Sequence, residues 1–129
     1  MKGWVHARMP AIVVGLGVSQ IGLGLWMAIS PESFFDVLGG FGAENPHYVR
    51  DVSTVYLALG AALLVAARRP AWRAPVLLVA ALQYGIHALN HLVDIGEADP
   101  SWVGPLDAVT MVATAALFAY VFVVARADA

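Results

Sequence analysis

The sequence predicts an all-α integral membrane protein: a four-helix transmembrane bundle with a short interfacial helix between its first and second spans. Three observations predict it. Hydrophobic residues make up 60% of the chain and charged residues 12%, against roughly 25% charged in soluble domains. Four long uncharged blocks follow one another. Basic residues gather at one end of those blocks and acidic residues at the other. With 129 residues the chain has room for a single domain, 1–129, and no separate soluble module. The absence of cysteine excludes disulfides, thiolate metal sites and Fe–S clusters.

The uncharged blocks cover 10–29, 52–67, 74–93 and 108–125. A spanning helix needs about 20 apolar residues, so the first, third and fourth qualify directly. The second is short by itself, but Pro46 suits a first helical turn and extends it to 46–67. The expected spans are therefore about 10–29, 46–67, 74–94 and 105–125. The first is too long for the apolar region of a secretory signal, and Trp26 spoils a small-residue cleavage site before Ser30, so it reads as a retained helix.

Lys2 and Arg8 precede the first span, Arg68, Arg69 and Arg73 lie in the turn "RRPAWR", and Arg126 follows the fourth span. Glu32, Asp36, Glu44, Asp51, Asp94, Glu97, Asp99 and Asp107 belong to the opposite side. Cytoplasmic loops collect Lys and Arg, so both termini are expected in the cytoplasm of a bacterial-type plasma membrane.

Between the first two spans, "SPESFFDVLGGFG" reads as a short helix on the outer surface. Ser30 is its candidate N-cap, Pro31 a first-turn residue and Gly39-Gly40 its stop. Trp102, in the last loop, is a candidate interface anchor. In "GLGVSQIGLG", Gly15 pairs with Gly22 and Gly17 with Gly24, seven residues apart. Each pair shares a helix face and suits close helix packing, within the chain or in a homo-oligomer.

The chemistry concentrates in "QYGIHALNHLVD". Gln83, His87, Asn90, His91 and Asp94 fall on one helical stripe in the outer half of the third span. Facing lipid, these groups would lack partners, so the stripe is expected to face the bundle interior or a wet cavity. Arg50 and Asp51 on the second span, and Asp107 on the fourth, lie at similar depth.

Arg50, Asp51, Gln83, His87, Asn90, His91 and Asp107 are accordingly the candidate ligand-binding residues, with His87, His91 and Asp94 as candidate catalytic groups. The leading expectation is binding, with or without turnover, of a small amphiphilic or redox-active molecule of quinone, lipid or isoprenoid type. A histidine would move its proton. The alternative is a divalent transition-metal site on His87, His91 and Asp94, since imidazoles at i and i+4 can share an ion. A haem held by both histidines is not expected, because residues on one stripe cannot approach iron from opposite faces. The third class is a structural or accessory subunit of a membrane complex, in which Arg50 pairs with Asp94 or Asp107 and the histidines bond neighbouring helices, at about 0.6 kcal/mol each. The lipid bilayer is the expected partner, and nucleic acid is not.

The Gly-rich first span ending in a Pro-Glu-Ser-Phe turn, "GLGVSQIGLGLWMAISPESFF", and the Arg-led second span, "VRDVSTVYLALGAALLVAA", resemble small four-helix membrane proteins of the DoxX-like group and related uncharacterised families. The resemblance covers about half the chain. It implies a four-helix membrane bundle. Some members are associated with membrane redox or quinone-linked chemistry, and most have no assigned activity. "HALNHLVD" matches no signature of the group, so the resemblance carries over no catalytic residue.

Overall fold

The computed structural model of the protein describes residues 2–128; Met1 and Ala129, the bounds of the expected domain, lie outside the described residues. The chain is an all-α four-helix membrane bundle with a fifth, short helix. The elements are α1 (Lys2–Ile29), α2 (Pro31–Val37), α3 (Pro46–Arg68), α4 (Pro70–Val93), α5 (Val103–Ala125) and a closing 3-10 turn (Arg126–Asp128). Four of the helices are long and apolar enough to cross a membrane.

Local chemistry sets most of the boundaries. Asn45 caps α3 by accepting a hydrogen bond from the Tyr48 N–H at 3.1 Å, and Pro46 occupies the first turn. Arg69 is the only residue between α3 and α4. Arg73 reaches back across that turn, its guanidinium donating to the carbonyls of Ala66 at 3.3 Å and Ala67 at 2.9 Å. Those carbonyls lie in the last turn of α3, where backbone donors run out; the Ala66 carbonyl accepts also from the Arg69 N–H at 3.2 Å. Pro31 opens α2, while Ser30 stands at its N-cap without a side-chain bond.

α1 begins eight residues before the expected start, and Pro10 lies inside it. Proline removes one N–H from the helical ladder, yet Met9 and Val13 are almost fully buried. That anchorage holds the leading turns in place despite the missing bond.

α1 packs along α3 and α4 along α5, with a lighter seam between α3 and α4. The α1–α3 contact is close because Gly17, Gly24 and Gly60 lie in it. A Cβ on Gly60 would come within 2.8 Å of the Gly17 carbonyl. Gly15 and Gly22 face open space. α4 turns Val79, Leu82, Ile86, Leu89 and Val93 outward, all more than half exposed. Such a face has no reason to form in water and suits lipid.

The two ends of the bundle differ. Around the Arg-rich end, Met9, Leu63, Leu77, Phe118 and Val121 close the core. Toward the acidic end the helix pairs part and a cavity opens.

Candidate functional site

The cavity has a volume of about 500 Å³, within the range of small-molecule pockets. Its walls are mainly apolar: Leu23 and Met27 of α1, Val49 and Val52 of α3, and Leu106 and Met111 of α5. α2 covers it with Phe34 and Phe35. That helix is tied to α1 by the Trp26 indole N–H donating to Ser33 Oγ at 3.2 Å and by edge-on contact of Trp26 with Phe34.

One side of the cavity is polar. Tyr56, His87, Asn90, His91, Asp94, Asp107 and Thr110 line it. Tyr56 Oη lies 3.4 Å from His87 Nδ1, and His87 Nε2 lies 3.1 Å from His91 Nε2. His91 Nδ1 lies 3.9 Å from an oxygen of Asp107, whose side chain is 7% exposed. That Nδ1 is buried and makes no hydrogen bond. A movement of about 1 Å would bring it within bonding reach of the carboxylate. Tyr56, His87, His91 and Asp107 thus form a line from α3 through α4 to α5.

Behind the line, Tyr84 stands outside the cavity wall and meets Tyr56 edge-on with ring centroids 6.3 Å apart. The buried Tyr84 hydroxyl donates to Gln20 Oε1 at 2.8 Å, and the ring stacks on Phe118 with centroids 5.2 Å apart. At the mouth, Phe41 sets its ring edge-on to His91 at 5.0 Å. Phe41 is held by a bridge between the two loops of that end, Phe41 against Ala98, with the Asp99 N–H donating to the Gly40 carbonyl at 2.9 Å. Gly40 and Gly104 allow this closure, since a Cβ on Gly40 would collide with the Asp99 carbonyl and one on Gly104 with that of Ile95.

Each imidazole has two nitrogens and, when neutral, one proton. If the Tyr56 hydroxyl donates to His87 Nδ1, the His87 proton sits on Nε2 and points at His91 Nε2. The His91 proton then sits on Nδ1 and points at an ionised Asp107. Reversing every donor gives a second consistent arrangement, in which Asp107 carries the proton and His91 donates to His87. The two arrangements differ by one proton on Asp107 and by the direction in which each donor points. No family model, curated protein or solved structure matches the chain.

The structure places the sequence-derived residues unevenly. His87, Asn90, His91, Asp94 and Asp107 all reach the cavity wall. Gln83, half-buried one turn below His87, does not. Arg50 and Asp51 also lie outside the wall, because Val49, Val52 and Tyr56 take the inward face of α3. The next positions turn about 100° per residue away from it. Arg50 instead approaches Glu32 of α2 at 4.0 Å, and Asp51 pairs with His47 at 3.4 Å, all four being well exposed. Among the described residues, no three His, Asp or Glu side chains converge as a metal-binding set.

Tyr56 and Phe41 were not legible as site residues. Tyr56 leaves a weak signal: it sits seven residues after Val49, on the same face, as a mid-span aromatic with a polar tip. Phe41 leaves none, since its position depends on a loop pairing between distant parts of the chain.

Proposed function

We propose that the protein binds a small membrane-soluble amphiphile. Its apolar body would lie between the α1–α3 and α4–α5 pairs, and a hydroxyl or carbonyl head would meet His87, His91 and Asn90. One observation carries this reading: a largely apolar cavity of about 500 Å³ with a single polar side, on which His87, Asn90 and His91 lie together. Ligand pockets combine apolar walls with a few convergent polar groups in this way. Asn90, beside the histidine pair on the same wall, offers an amide that can donate to or accept from such a head.

The proton line gives such a head a means of acid–base exchange. A hydroxyl at the histidine pair would hand its proton toward Asp107, and a carbonyl would receive one. The resemblance to the DoxX-like group, some of whose members are associated with quinone-linked chemistry, favours a quinone head within this class. Arg50 and Asp51 take no part in it.

Chloroform–methanol extraction of protein purified in mild detergent, followed by mass spectrometry, tests the reading. One lipophile should be enriched over bulk lipid in the wild type and lost from a folded His87→Ala/His91→Ala protein. Identical lipid profiles in the two would refute it.

A second reading rests on the 3.1 Å separation of the two Nε2 atoms. Two ligands of one tetrahedral zinc stand about 3.3 Å apart for bonds of about 2.0 Å. Tyr56 and Asp107 would then orient the imidazoles through their Nδ1 atoms, as outer-shell groups do at metal sites. The remaining positions would fall to a pocket ligand.

A further inference from the structure

A second cavity, of about 640 Å³, opens on the lipid-facing side at the opposite, Arg-rich end. Val14 of α1, Leu64 and Val65 of α3, the adjacent Arg68 and Arg69, and Trp72 of α4 form it. Its character changes along its length. Leu64, Val65 and Val14 make an apolar trough within the spans, and Arg68, Arg69 and Trp72 cluster where α3 turns into α4.

The two guanidiniums are available. Arg73, the third arginine of the turn, is committed to the Ala66 and Ala67 carbonyls and fixes the turn's shape. Arg68 and Arg69 are exposed, and among the described residues no carboxylate pairs with either. The carboxylates of Glu32, Asp51 and Asp107 find their basic partners at the other end of the bundle. Trp72, half exposed, adds an indole N–H at headgroup depth, where tryptophan is favoured.

We propose that this groove is a binding site for an anionic phospholipid, its phosphate held by Arg68 and Arg69 and the start of one acyl chain lying along Leu64, Val65 and Val14. Paired arginines bind phosphate oxygens with directed, charge-assisted bonds. Basic pockets between spans hold anionic headgroups in the same manner. The apolar trough is what selects a lipid over free phosphate. A soluble anion would gain only the arginines, whereas a phospholipid gains both ends. The site is independent of the cavity at the acidic end and does not depend on its function.

The test is native mass spectrometry of the full chain after detergent delipidation and incubation with phosphatidylglycerol, with phosphatidylcholine, or with inorganic phosphate alone. Each guanidinium near an anionic membrane surface is worth about fivefold, so phosphatidylglycerol should be preferred roughly 30-fold over phosphatidylcholine. Arg68→Gln/Arg69→Gln should abolish the preference. Val14→Trp, which fills the trough and leaves both charges, should weaken phosphatidylglycerol retention. Arg8→Gln, a charge change at the same end outside the groove, should leave it intact. Equal retention of both lipids would overturn the proposal, as would an unchanged preference in the double variant or in Val14→Trp. Inorganic phosphate binding as tightly as the lipid would also overturn it.

Discussion

The Nε2 atoms of His87 and His91 lie 3.1 Å apart on consecutive turns of α4, with Tyr56 behind one ring and Asp107 behind the other. Two neutral imidazoles in contact cannot both bring a proton to the shared position. With Asp107 ionised, His87 should be the Nε2–H tautomer and His91 the Nδ1–H tautomer. Ring nitrogen-15 spectra of chelator-treated protein report this directly. Tyr56→Phe, which removes the donor to His87 while His91 still accepts from that ring, should weaken the ring's preference. Finding the same tautomer at both histidines in the wild type would break the proposed line.

The α1–α3 seam separates two kinds of glycine. In Gly60→Ala the new methyl group would press on the Gly17 backbone and on Ile21. Overpacking of that kind costs about 1–3 kcal/mol. Gly22→Ala meets nothing within 4 Å, and should change stability by no more than about 0.5 kcal/mol. Unfolding titrations in detergent measure both. Equal effects would mean that the seam is looser than its geometry.

These cases show what the sequence could carry. Hydropathy and charge segregation revealed the four spans, since lipid imposes length and apolarity on any helix that crosses it. Pro46 marked the start of α3, and the one-stripe spacing of His87, Asn90, His91 and Asp94 brought them to one cavity wall. Arg50 stands outside the wall because depth along a helix says nothing about rotation around it, and Val49 and Tyr56 take the inward face. Pro10 did not stop α1, because burial of Met9 and Val13 outweighs one missing hydrogen bond. The Phe41–Ala98 bridge joins loops 57 residues apart (98 − 41 = 57) and leaves no periodic trace in either.

That loop bridge covers the histidine side of the cavity and can be opened separately. Gly40→Ala places a methyl group against the Asp99 carbonyl and should separate the two loops while the four spans stay intact. Hydrogen exchange should then rise in 38–45 and 94–102, with no comparable change in α3 and α5. Exchange unchanged in both loops would show that the cap is not held at this point.

Elemental analysis separates the two readings of the histidine pair. Protein purified without chelator or a histidine tag should carry no stoichiometric transition metal if the pair serves proton exchange. Near-stoichiometric zinc, copper or iron that is lost in His87→Ala/His91→Ala would make the metal reading the correct one.

The central claim is that an amphiphile's polar head meets His87 and His91, and it is tested most directly by watching those rings. The protein, reconstituted in lipid nanodiscs with nitrogen-15 histidine, would be titrated with decanol, geraniol and decylhydroquinone. At least one probe should shift the His87 and His91 resonances saturably while His6 and His47 stay unmoved. No saturable shift with any of the three, or equal shifts at all four histidines, would contradict the account.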